Sequence, residues 1–199
     1  MMDARIVAAA AVLLIAVAVI MKWRAPLAGK VQPIAFEMER DGTVLQSVLD
    51  AAGRPAVERN TKYDLYGLIP AYTLFLVLFA LSAKSPRLAW AAAAFALLTG
   101  ICDVLEDFAI LRVLPIASPN EADAMRIVIP AFAKWIALFV TVGLIAITAT
   151  AAWLRVLLLI VAAAGVIATF LFSLTAIGIS FIAAFGILLV WSFIRPFLS

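Results

Sequence analysis

The chain has no histidine and a single cysteine, Cys102. The missing histidine removes the commonest ligand for zinc, copper and haem, together with any His-based catalytic dyad or triad. One thiol excludes an intrachain disulfide. No metal site and no cofactor is therefore expected. Charge is also scarce. Charged residues make up 14% of the chain against 67% hydrophobic, and the mean hydropathy is +1.17, whereas soluble domains are closer to half apolar and a quarter charged. Residues 156–194 contain no Asp, Glu, Lys or Arg at all, a run long enough for two spanning helices of roughly 20 residues each. The net charge of +3 is small and sits at helix ends and in one amphipathic segment. No basic stripe interleaved with aromatics is visible, so nucleic acid is not an expected partner.

What remains is the pattern of an all-α integral membrane bundle in a single transmembrane domain, residues 1–199. Six spans are expected at about 6–23, 64–82, 88–114, 122–152, 154–172 and 175–195. The first apolar run has a small-x-small triplet, Ala16-Val17-Ala18, that could mark a signal peptidase site. The triplet lies inside the run, so the run reads as a spanning helix rather than a cleaved leader. Trp23 sits at the expected interface level. Residues 25–62 are too polar to span. Val44, Leu45, Val48 and Leu49 lie on one face there, Gly53 reads as a helix stop, and Pro55 suits the first turn of another short helix. This amphipathic segment is expected on the membrane surface or folded back over the bundle. Ser118-Pro119-Asn120-Glu121 reads as a capping box that opens the fourth span, and Pro130 predicts a kink within it. Gly165, Gly178 and Gly186 are expected at helix-packing positions. Six spans put both termini on one side with Arg5, Lys84, Arg87, Arg155 and Arg195, and these short loops favour cytoplasmic termini, whereas Lys22 and Arg24 pull the other way.

One constellation carries chemistry. Asp103, Glu106 and Asp107 stand at i, i+3 and i+4 on one helical face. A carboxylate in hydrocarbon costs several kcal/mol and faces the bundle interior. Three so close cannot all be ionised, so at least one is expected to hold a proton at neutral pH. Glu106 and Lys134 each lie about 12 Å from the same membrane boundary at the α-helical rise. Asp64 opens the second span from that side, and Glu37 and Glu39 belong to the segment covering it. Asp64, Asp103, Glu106, Asp107 and Lys134 are therefore expected in one pocket bordered by Tyr63, Tyr66 and Tyr72.

The order of Ile34-Ala35-Phe36-Glu37, Tyr63-Asp64-Leu65 with Pro70-Ala71-Tyr72, Asp103-Val104-Leu105-Glu106-Asp107 and Ala133-Lys134-Trp135 resembles a family of uncharacterised bacterial membrane proteins. Its motifs are F-E-L-A, D-x-x-F…Y, D-x-x-E-N and K-F. The resemblance covers about residues 34–140. It implies Glu37, Asp64, Tyr72, Asp103, Glu106 and Lys134 as the marked positions, and the bacterial inner membrane as the location. Asp107 replaces the family's asparagine and Met38 its leucine. No activity comes with the resemblance.

Three functions fit these residues. The first is an accessory or structural protein in a membrane assembly, its partners lipid and other membrane subunits, with the cluster fixing helix packing. The second is an enzyme in which Glu106 or Asp103 serves as a catalytic acid on a lipid or isoprenoid-like substrate. The third is a proton-coupled carrier in which protonation of Glu106 competes with its pairing to Lys134.

Overall fold

The computed structural model describes residues 3–28 and 31–194, in which helices are joined by short turns and no strand occurs. Its elements are α1 (Ala4–Arg24), α2 (Ile34–Glu37), α3 (Gly42–Ala52), α4 (Arg54–Tyr63), a wide π-turn (Asp64–Leu68), α5 (Ile69–Leu81), α6 (Pro86–Val113), α7 (Glu121–Thr148), α8 (Ala152–Phe170) and α9 (Leu174–Ile194). Among the described residues six helices are long and apolar enough to cross a membrane, with α4, the π-turn and α5 forming one continuous span, Arg54–Leu81. The chain is thus a multi-pass membrane protein by length and composition of its helices. Arg195 and the far end of the sixth span fall outside the described residues.

Successive spans pack side by side, and α1 touches both α5 and α9, so the six close into a ring. Aromatic side chains fill its interior. Phe75 and Phe79 pack edge to face, Phe181 lies 4.7 Å from Phe185, Tyr72 packs edge-on to Phe185, and Trp135 stacks on Phe139. Such rings supply contact area and edge-to-face attraction where lipid leaves no hydrophobic driving force between helices.

Residues 31–53 fold back over one end of the ring, joined there by the first turn of α4. Phe36, Leu45, Leu49 and Val57 build a second, smaller core against Ile110, Val113, Leu114, Ala124 and Ile127 at the ends of α6 and α7. Burying each of the large side chains in that set is worth about 1.5–3 kcal/mol relative to water. Asp41 caps α3 by accepting from the Thr43 and Val44 amides, and Gly53, at φ +80°, ends it. Leu45 and Leu49 are buried and Val48 packs beside them as expected, whereas Val44 is exposed and Ala52 joins the buried stripe instead. Gly42 packs so tightly on the Pro119 carbonyl and Asn120 backbone that any Cβ there would collide. The Arg54 guanidinium donates to the Leu114 and Ile116 carbonyls, tying α4 to the end of α6.

Several expectations need correction. Asp64 does not open the second span, because the helix that starts at Arg54 runs through it. The cap of α7 is Asn120, whose side chain accepts from the Asp123 amide while Asp123 accepts from the Asn120 amide, so Pro119 lies outside the helix. Ser118 therefore has no capping role. Helix α7 carries Pro130 in its interior and ends at Thr148, earlier than expected. Gly165 does pack, lying directly against the Phe139 ring, but a Cβ added at Gly178 or Gly186 would meet no neighbouring element within 4 Å. The turn after α8 is a Schellman motif. The Ser173 amide donates to the Ala168 carbonyl and the Phe172 amide to that of Thr169. Phe172 occupies the left-handed position, at φ 51°, where glycine is usual. A side chain there costs on the order of 1–3 kcal/mol.

The contrast between glycines is testable by thermal unfolding in detergent. Gly165→Ala should lower stability by about 1–3 kcal/mol through overpacking against Phe139, while Gly178→Ala should leave it within about 0.5 kcal/mol of the parent.

Candidate functional site

Helix α6 brings three carboxyls to one buried face, with Asp103 at 6%, Glu106 at 1% and Asp107 at 3% exposure. Helix α7 points Lys134 at them. Its ammonium lies 2.9 Å from Asp103 Oδ1 and 2.6 Å from Glu106 Oε2. A third carboxylate comes from the cap. Phe36 anchors the single turn α2 in the second core, and Glu37, next to it, reaches Lys134 Nζ at 3.1 Å. The Tyr72 hydroxyl, from α5, donates to Asp103 Oδ2 at 2.6 Å. One ammonium is thus shared by carboxyls from two separate segments, and a third segment holds one of those carboxyls in place.

Asp64 stands beside this group, in the π-turn. Its Oδ1 and the Asp107 Oδ2 are buried without a hydrogen-bond partner among the described residues. The π-turn explains how Asp64 and Tyr72 both face α6. Eight residues of regular α-helix would leave them about 80° apart, whereas a turn that absorbs one residue brings them to about 20°. Pro70 follows that turn. It has no N–H to offer the carbonyl one turn back and its ring crowds that carbonyl, so the backbone widens.

Three carboxyls, Glu37, Asp103 and Glu106, lie within 3.1 Å of the Lys134 ammonium, and the buried oxygens of Asp64 and Asp107 add two more acids to the group. Two like charges 4 Å apart repel by about 4 kcal/mol even at an effective dielectric of 20. Such repulsion adds to the cost of ionising every acid of the group at once. At the cap, burial pushes the Glu37 carboxyl above its ordinary 4.5, with Lys134 pulling it only part of the way back.

Not every expected residue joins the site. Tyr66 is 79% and Tyr63 38% exposed, so of the three tyrosines only Tyr72 borders the acids. Glu39 accepts from the Arg40 and Asp41 amides and shapes the turn before α3 instead. Glu37, which by sequence could pass for a solvated residue near the interface, is 7% exposed. Gly100 is a close-approach position rather than a free hinge, since a Cβ there would strike Thr73 on α5. Among the described residues no group of His, Cys, Asp and Glu has the arrangement to hold a metal ion. Two surface cavities lie near the cap, one lined by Arg40, Asp41, Gly42, Thr43, Pro119, Asn120 and Glu121, the other by Arg40, Met125, Val128, Ile129, Phe132, Phe170 and Phe172. No residue of the cluster lines either.

No known protein family, curated protein or solved structure matches the chain. The resemblance in its motifs therefore stands on the motif residues alone.

Two outcomes are expected. Lys134→Met leaves the surrounding acids without their cation and should cost about 3–5 kcal/mol, read as loss of folded yield, with Asp103→Asn in the same chain recovering part of it. The pH dependence follows from the raised value of Glu37. The folded state holds that proton more tightly than the unfolded chain, so its stabilising effect is complete below pH 4.5 and is lost as pH rises through the folded value. Protection factors of residues 34–52, with the intrinsic base catalysis of exchange divided out, should accordingly fall as pH is raised above about 4.5, and Glu37→Gln should flatten that slope.

Proposed function

We propose that this chain is an accessory or structural component of a membrane assembly, in which a buried ionic clamp fastens an amphipathic cap to a six-helix ring. The observation that carries this reading is the position of Lys134 Nζ, within 3.1 Å of carboxylates from both the cap and α6. Removing a charge from such a site unfastens two segments at once, which is the behaviour of a structural tie. The outer faces of α8 and α9, with Ile160, Ile167, Ile179 and Ile182 all more than half exposed, offer apolar surface to lipid or to neighbouring subunits. On the motif resemblance, the membrane is the bacterial inner membrane.

The proton-coupled carrier is the second reading. It is favoured by the surplus of acids over the one ammonium, and by the partnerless oxygens of Asp64 and Asp107. A catalytic role for Asp103 or Glu106 would need a route from lipid to Glu106, and at 1% exposure that side chain is enclosed on all sides.

Reconstitution separates the readings. In the structural reading, Glu106→Gln lowers the thermal midpoint by a margin worth about 1–3 kcal/mol, and proteoliposomes of the parent chain show no proton flux under a pH gradient. Proton flux in the parent that disappears in a folded Glu106→Gln variant would replace it with the carrier.

A further inference from the structure

Arg40 lies at the seam between two cavities of opposite character. One, of about 420 Å³, is polar and opens between the starts of α3 and α7, with Asp41 and Glu121 in its wall. The other, of about 310 Å³, is an apolar groove along α7, floored by Met125, Val128, Ile129 and three phenylalanines. Both lie at the end of the ring that carries the cap, because the turn before α7 and the turn between α8 and α9 emerge on that side. Arg40 lines both cavities.

Its guanidinium is held in a defined place. The carbon lies 3.4 Å from the centroid of Phe172. Phe172 stacks on Phe132 at 5.7 Å, and Phe132 meets Phe170 edge to face at 5.4 Å. Cation–π stacking engages the face of a guanidinium and leaves its N–H edge free for a bidentate acceptor. Among the described residues no carboxylate pairs with Arg40. Phe172 itself keeps the left-handed backbone position usual for glycine, so the ring beneath Arg40 is held there against backbone strain.

We propose that this pair of cavities is a binding site for one glycerophospholipid with a primary-amine zwitterionic headgroup, its phosphate on Arg40, its amine beside Asp41 and Glu121, and an acyl chain in the α7 groove. Charge complementarity selects this occupant. A single cation flanked by two carboxylates matches a phosphate joined to an ammonium, and it disfavours a purely anionic headgroup, whose second polar end would meet Asp41 and Glu121. A free phosphate ester would leave the adjoining apolar groove unfilled. The groove runs from Met125 to Phe132, about 10 Å of helix at the α-helical rise, and it descends from the headgroup level towards the hydrocarbon. The site is separate from the Lys134 cluster and does not depend on the proposed structural role.

The test uses the purified full-length chain, delipidated in a phosphate-free detergent and titrated with phosphatidylethanolamine, phosphatidylglycerol and phosphatidylcholine of identical acyl chains, with binding read by native mass spectrometry. The parent should favour phosphatidylethanolamine. Arg40→Gln should weaken that lipid about tenfold, as expected for loss of a charge-assisted bidentate contact, whereas Arg112→Gln, an exposed cation in neither cavity, should leave it unchanged. Glu121→Gln should erase the preference over phosphatidylglycerol, and Ile129→Trp, which fills the groove, should weaken all three lipids. Arg40, Glu121 and Ile129 are exposed, so the variants should fold, and their melting curves are recorded alongside. Three results would overturn the proposal. These are equal binding of the three lipids by the parent, unaltered phosphatidylethanolamine binding in Arg40→Gln, and binding of chain-free phosphoethanolamine as tight as that of the lipid.

Discussion

An ammonium inside a ring of apolar helices is tolerable only if oxygen atoms surround it, and Lys134 satisfies that condition with carboxylates drawn from elements far apart in the chain. This requirement orders much of the architecture around it. Helix α6 must turn its acidic face inward, α7 must present Lys134 at the same depth, and the cap must descend far enough for Glu37 to enter. The compensating attraction is strong in a dry interior, but so is the penalty of taking these groups out of water, and the two largely cancel. What survives the cancellation is geometry. Arrangements in which the charges miss one another are far costlier than the one observed, so the cluster selects a packing even where it adds little net stability.

Smaller devices make that geometry attainable. Gly42 lets the cap settle on the backbone before α7, and Gly100 lets α5 approach α6 beside Thr73. The wide turn ahead of Pro70 rotates Asp64 onto the face that Tyr72 already occupies. Beside the cluster, Phe75, Phe139, Phe181, Phe185 and Trp135 pack ring against ring, and Lys134 itself lies 4.9 Å from the Trp135 ring.

How much of this was legible in the sequence depends on the kind of signal each residue leaves. Spanning helices announce themselves by hydropathy, and all six were placed within a few residues apart from the start of the second and the end of the fourth. The shared face of Asp103, Glu106 and Asp107 follows from helical periodicity, and a helix-rise estimate put Lys134 at their level. Glu37 was harder, because its neighbours Glu39, Arg40 and Asp41 are polar and local composition says nothing of how far a cap sinks. The start of the second span was misplaced because residues 54–63 are polar, yet Pro55 opens a helix that does not stop at Asp64. Pro70 was the available sign of the wide turn. The tyrosines misled because proximity in sequence to an acidic residue does not fix which way a ring points, and Gly178 and Gly186 misled because a small residue in a span can face lipid as readily as a neighbour.

The separation in sequence between the clamp's partners also bears on how the protein is made. Glu37 and Lys134 are 97 residues apart, and the acids of α6 emerge from the ribosome about 30 residues before Lys134 does. At roughly 5–20 residues per second, the acidic helix reaches the translocation machinery seconds ahead of its counter-charge. During that interval its carboxyls are best accommodated as neutral acids or held at the water-filled exit of the translocon. Lys134 follows only with α7, so the cluster can close no earlier than the fourth span.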